Sequence, residues 1–94
     1  MKGYTYILSN RNDTTIYIGV TKNLHRRMKE HKLGIFEGFT KQYKLTKLIY
    51  YEEFELFTDA VKREKQLKNW HREWKLNLVK ENNPDLRDLA EEIA

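Results

Sequence analysis

The stretch Tyr17-Ile-Gly-Val-Thr-Lys-Asn-Leu-His-Arg-Arg-Met-Lys-Glu-His31 constrains everything around it. It begins as a β-branched strand and meets a helix-capping residue at Asn23. It then continues as a basic helix over Leu24 to Leu33, which Gly34 can terminate. A tyrosine, a glycine, two arginines and two histidines crowd into these fifteen positions. Few structural needs explain that mixture, and the rest of the chain reads as what holds this stretch in place.

Upstream, Tyr4-Thr-Tyr-Ile-Leu-Ser9 is rich in aromatic and β-branched residues and stops at the turn-forming cluster Asn10-Arg-Asn-Asp13. With Thr14 to Val20 as a second strand, residues 4–20 read as a β-hairpin. The strand period of two puts Ile16, Ile18 and Val20 on one face, and Thr15, Tyr17 and Gly19 on the other. Tyr4 and Tyr6 share a face of the first strand. Gly19 inside a strand forfeits packing, which marks either a simple kink or a place where another group approaches closely.

On the helix, Leu24, Met28 and Leu33 form the apolar stripe. Arg27 and His31 lie one turn apart at its edge, while Arg26, Lys29, Glu30 and Lys32 point to solvent. Residues 34–44 read as a loop whose aromatic rings alternate with lysines. That pattern suits either anchors packed on the core or a surface where bases stack and phosphates meet Lys41 and Lys44. Leu45 to Phe54 reads as a third strand, with Glu52 and Glu53 at the surface. Thr58 is placed to cap a helix over Asp59 to Asn69, and Trp70 to Val79 continues as another. Pro84 breaks it. Asp85 to Ala94 reads as a short acidic helix using Leu86, Leu89 and Ile93. The order β-β-α-β-α-α predicts an α+β fold, a small three-stranded antiparallel sheet flanked by helices. Residues 1–94 are expected to form one domain with a core over about 4–80 and an acidic segment over 81–94.

The chain has no cysteine, which excludes disulfides and cysteine-rich metal sites and fits a reducing, cytoplasmic setting. No apolar run reaches the roughly 20 residues of a membrane span, so no membrane partner is expected. The net charge of +4 hides an asymmetry: Lys22 to Lys47 carries eight Lys and Arg against two acids. A basic body of this kind attracts polyanions, and Gly19, Lys22, Arg26, Lys29, Lys41 and Lys44 are the candidate substrate contacts.

One charge falls where an apolar residue belongs. On the second long helix Ala60, Leu67 and Trp70 should face inward, and Glu64 lies on the same stripe. An uncompensated carboxylate there costs several kcal/mol, so it calls for an ion pair, a bound cation or a polar cleft. His25, His31 and His71 lack the spacing of a metal cage. A single carboxylate holding a water-rich Mg²⁺ or Mn²⁺ stays feasible.

Taken together, Tyr4-Thr-Tyr6, Tyr17-Ile-Gly19, Arg27, His31 and Glu64, in this order and spacing, resemble the GIY-YIG nucleases. The segments Arg63 to Trp70 and Trp74 to Val79 are similar to a short bacterial branch related to the N-terminal domain of the excision-repair endonuclease. Two departures stand out. The first triplet is Tyr4-Thr-Tyr6 instead of Gly-Ile-Tyr, and the family's later Asn falls on Asn77, Asn82 or Asn83. The resemblance implies DNA as partner and phosphodiester cleavage with one divalent ion held by Glu64. It further implies Arg27 on the phosphate, and a water oriented or deprotonated by Tyr17 with Tyr6 nearby, His31 being the rival base. Two other expectations remain beside it: a nucleic-acid-binding module that cleaves little, and a protein-interaction domain anchored by Trp70 and Trp74, though core packing explains those two rings more simply.

Overall fold

The sheet is built around β1 (Gly3–Ser9), which pairs antiparallel with β2 (Ile16–Thr21) on one side and β3 (Lys47–Phe54) on the other. In the computed structural model, which describes residues 1–35 and 38–93 and at Phe39 the backbone alone, four helices surround this sheet. They are α1 (Leu24–Lys32), the short α2 (Phe39–Gln42), α3 (Phe57–Lys68) and α4 (Arg72–Asn82). This is the three-stranded antiparallel α+β architecture expected from the pattern. No helix among the described residues is long and apolar enough to cross a membrane.

β1 is central because its side chains serve two apolar layers. Tyr6 and Leu8 point to one face, where they meet Leu24 and Met28 of α1 together with Leu45, Leu48 and Leu89. Ile7 points to the other, where Ile18, Ile49 and Tyr50 pack against Leu67 of α3 and Val79 of α4. The phenol-bearing face of the hairpin is therefore a core as fully as the aliphatic face is. Thr5 to Ser9 have no exposure at all.

α1 starts where Asn23 caps it, the side chain accepting a hydrogen bond from the Arg26 backbone N–H. It ends at Gly34, whose φ of +68° is the left-handed conformation that glycine adopts without strain. Four expectations need correction. Leu33 is 75% exposed and has no place in the stripe; His31 is buried instead. α3 begins at Phe57 after Leu56, so Thr58 is not its cap. Residues 34–44 are not all loop, since α2 interrupts them; Phe36 and the Phe39 ring lie outside the described residues. The segment from Asp85 is no helix beyond a 3-10 turn at Ala90–Ile93.

That last segment takes its shape from β3. The Leu89 N–H donates to the Leu48 carbonyl at 2.7 Å, and the Leu48 N–H donates to an Asp88 oxygen at 3.2 Å. The other Asp88 oxygen receives Lys32 at 2.6 Å. Asn83 anchors the bend: its amide donates to the carbonyls of Ile49 (3.0 Å) and Arg87 (2.9 Å), and its oxygen accepts from the Arg87 N–H at 3.2 Å. Removing a buried group with three such partners strands each of them. Asn83→Ala is therefore expected to lower the unfolding free energy by about 2 kcal/mol in urea titrations.

Candidate active site

The register of the hairpin decides the site. Tyr6 pairs with Gly19 on β2, and its ring lies across that glycine: a Cβ added there would stand 2.5 Å from both Cζ and Oη of Tyr6. With no side chain beneath it, the ring extends toward Tyr17, 6.4 Å away between centroids. On the helix side His31 closes the group. Its ring centroid lies 6.1 Å from that of Tyr6 and 6.4 Å from that of Tyr17, and its Nε2 is 3.3 Å from the Tyr6 hydroxyl. Gly19 is thus the close approach and not a kink.

The Tyr6 hydroxyl registers its surroundings. Burial above all, then the neighbouring Tyr17, push its pKa up to about 12; Arg27 pulls the other way through its charge and a hydrogen bond, and the Glu64 charge adds to the rise. With the His31 contact, four residues from β2, α1 and α3 therefore act on one phenol. At neutral pH Tyr6 is a neutral group that cannot serve as base. Its side chain is wholly buried in this structure.

The other four members are placed differently. Tyr17 is partly open. Arg27 is about a third exposed, with Glu30 3.6 Å from its Nε. Glu30 was not singled out in the sequence; its spacing of three from Arg27 was the available signal. Arg27 and Glu64 do not pair with each other: Glu64 answers to Lys68 one turn on, at 3.5 Å, with its own side chain 15% exposed. His31 is buried among these groups but also lines a cleft of about 310 Å³ with Thr40, Lys41, Lys44 and Thr46. Burial first, and then the Arg27 charge, lower the His31 pKa against a smaller opposing effect of Glu30.

The candidate substrate contacts divide. Lys41 and Lys44 share the His31 cleft. Lys22 lies over the Phe57 ring, 5.0 Å from its centroid. Arg26 is exposed near the start of α1. Lys29 stands beside Asp88 and Glu91 in a separate cleft, away from His31. Glu52 is no free surface acid, since it accepts from Tyr50 and takes a two-pronged ion pair from Arg63. Asn77 and Asn82 are exposed, and Asn83 is committed to backbone groups.

No group of three or more His, Cys, Asp or Glu side chains gathers anywhere among the described residues. The donor set at the site is one carboxylate, which suits a hard cation that keeps most of its water shell and excludes a closed zinc cage.

Residues 2–77 match the GIY-YIG catalytic domain. The chain belongs to the GIY-YIG family. The curated UPF0213 protein of Syntrophus aciditrophicus is 38% identical, covering 86% of this chain and 93% of its own. The UPF0213 protein of Staphylococcus saprophyticus is 34% identical over 85% and 96%. The solution NMR structure of a UPF0213 protein from Bacillus halodurans superposes with a TM-score of 0.58 at 27% identity, covering 90% of this chain and 89% of that one. Membership of the GIY-YIG family carries a nuclease-type function, a nucleic-acid substrate and, in general, use of a divalent metal ion.

The lowered His31 pKa has a consequence for stability. The unfolded chain takes up a proton at this residue as the pH falls through about 6.5, before the folded protein does, so acid favours unfolding. The stability lost between pH 7.5 and 5 is expected to shrink in His31→Asn, read from urea midpoints at the two pH values.

Proposed function

We propose that this chain is a divalent-metal-dependent endonuclease that hydrolyses phosphodiester bonds in DNA, with residues 1–94 acting as one domain. The observation that carries this reading is the packing of Tyr17 and His31 on the buried Tyr6, with Arg27 and Glu64 close enough for their charges to act on its hydroxyl. These residues come from three elements, and the packing of the core asks for none of their polar groups.

The roles follow from position. Glu64 would hold Mg²⁺ or Mn²⁺, whose chemistry is to polarise the scissile phosphate and stabilise the departing oxygen. Arg27 donates to the non-bridging oxygens and offsets the charge that grows on them. Tyr17, on the partly open side, orients the attacking water. His31 takes its proton: imidazole is a base suited to neutral pH, burial and the Arg27 charge hold this one in its unprotonated form, and the cleft gives water a way to it. Lys41 and Lys44 hold flanking phosphates at that cleft. The test is cleavage of a panel of duplex, branched and single-stranded DNA with Mg²⁺, Mn²⁺ or chelator. Metal-dependent cleavage supports the reading, as does a rate that falls on the acid side in the parent but not in His31→Ala; absence of cleavage from every substrate sinks it.

A binding module that cleaves little is the second reading, favoured by the Lys68 ammonium that already answers Glu64. Salt-dependent DNA binding without turnover in the same panel selects it.

A further inference from the structure

The start of α4 carries a patch that the site above does not use. Trp74 is 54% exposed, so it is not the core ring that packing alone would make it. It is held in place nonetheless: Trp70 meets it nearly perpendicular with centroids 6.3 Å apart, and His71 does so at 5.0 Å. Trp70 in turn packs on the apolar layer below and lies under the Arg63 guanidinium at 5.3 Å. An indole fixed by two rings presents a rigid apolar surface to solvent at little further cost in side-chain entropy.

Two cations follow it around the helix, Lys75 about 100° from Trp74 and Arg72 about a further 60° beyond Lys75. Arg72 and Lys75 are three residues apart on the same helix, and among the described residues neither forms an ion pair. Arg72 is held by the backbone carbonyl of Asp13 at 2.8 Å. The Asp13 carboxylate is unavailable to it, being taken by Lys47 at 2.9 Å and by Ser9 at 2.7 Å. Lys75 is partly buried, and its ammonium is disfavoured first by that burial and then by the Arg72 charge. A partly desolvated ammonium near a like charge, with no acid paired to either, is relieved by an anion. The one acid in this turn of α4, Glu73, is exposed and lies about 200° around the helix from Lys75 and about 100° from Arg72, and it pairs with neither.

We propose that this ledge binds an unpaired nucleic-acid strand, stacking a base on Trp74 and pairing a backbone phosphate with Arg72 and Lys75. The proposal rests on the nucleic-acid substrate of the reading above. It adds a second contact at the end of the sheet where the β1–β2 turn lies. An aromatic face with neighbouring cations is how proteins hold single strands without reading sequence, because every base has a π-face and every nucleotide a phosphate. A duplex offers no such face along its length.

The experiment is a fluorescence titration in chelator, so that no cleavage intervenes, with a short oligothymidylate and a matched duplex. Stacking is expected to quench the tryptophan emission with the single strand. Trp74→Ala should remove the quenching and weaken binding about tenfold. Lys75→Ala should lower the slope of log affinity against log salt by about 0.7. Circular dichroism verifies that the variants are folded. The proposal is overturned if Trp74→Ala binds the oligonucleotide as tightly as the parent. It is equally overturned if the single strand fails to bind, or if it binds without moving the emission. The nuclease reading fails on a different result, the absence of metal-dependent cleavage, so the two can fall separately.

Discussion

Glu64→Gln and Arg27→Ala are each expected to slow DNA cleavage by about 10³-fold while leaving the protein folded. Glu64→Gln keeps the shape of the side chain and removes the charge that would hold the metal. Arg27→Ala removes the donor placed for the phosphate. The ion pairs lost, Glu64 with Lys68 and Arg27 with Glu30, are partly exposed neighbours one helical turn apart. Screening leaves such pairs worth only about 0.3–0.5 kcal/mol each, so the urea midpoint of Glu64→Gln should move little, while Arg27→Ala also gives up its hydrogen bond to the buried Tyr6 hydroxyl and is judged on cleavage at matched folded fraction. The decisive measurement is single-turnover cleavage in Mg²⁺ beside an unfolding curve for each variant. Cleavage that persists at near-parental rates in both would exclude the proposed chemistry.

The second large effect is expected at Gly19, where the requirement is space and not backbone freedom. An alanine Cβ would stand 2.5 Å from the end of the Tyr6 ring and 2.9 Å from Cε2 of Tyr17. Neither ring is a flexible surface arm. Tyr6 is fully enclosed and meets His31 at its hydroxyl. Something must shift, and overpacking of this kind costs about 1–3 kcal/mol. A displacement of about 1 Å in positioned groups can cost about 10²-fold in rate, so Gly19→Ala should lose both stability and cleavage. Gly34→Ala is the contrasting case: nothing lies within 4 Å of its added Cβ, and only the positive φ is penalised. It should lose about 1 kcal/mol of stability with cleavage intact.

Much of this was legible in the chain because local chemistry and long-range packing agree there. The hairpin, the Asn23 cap, the Gly34 stop and the strand holding Tyr50 all follow from residue type and spacing, and so does the close approach at Gly19. The site was legible only as a set of residues in order; which of them touch depended on register. Nothing local says that Tyr6 sits opposite Gly19 and so reaches His31, or that its hydroxyl ends up sealed from solvent. His31 and Leu33 show the limit of a stripe drawn by hydropathy. The helix turns the histidine inward, where the tyrosines offer it partners, and the leucine at its C-terminal cap is left outside. The region after Asn83 misled for a related reason. Its leucines have helical spacing, but Pro84 interrupts the start, and the edge of β3 draws the Leu89 N–H and the Asp88 carboxylate onto the backbone of Leu48.

That pairing of residues 83–93 with β3 has a bearing on how the protein is made. Leu89 completes the layer that also holds Tyr6, Leu8 and Met28. During synthesis the sheet can therefore align its three strands well before it can close that layer. Until residue 89 has emerged, the growing chain carries an unsealed apolar face and an open strand edge, the two features that invite association with other chains. That face thus stays open until residue 89 has itself emerged, after every residue of the candidate site has done so.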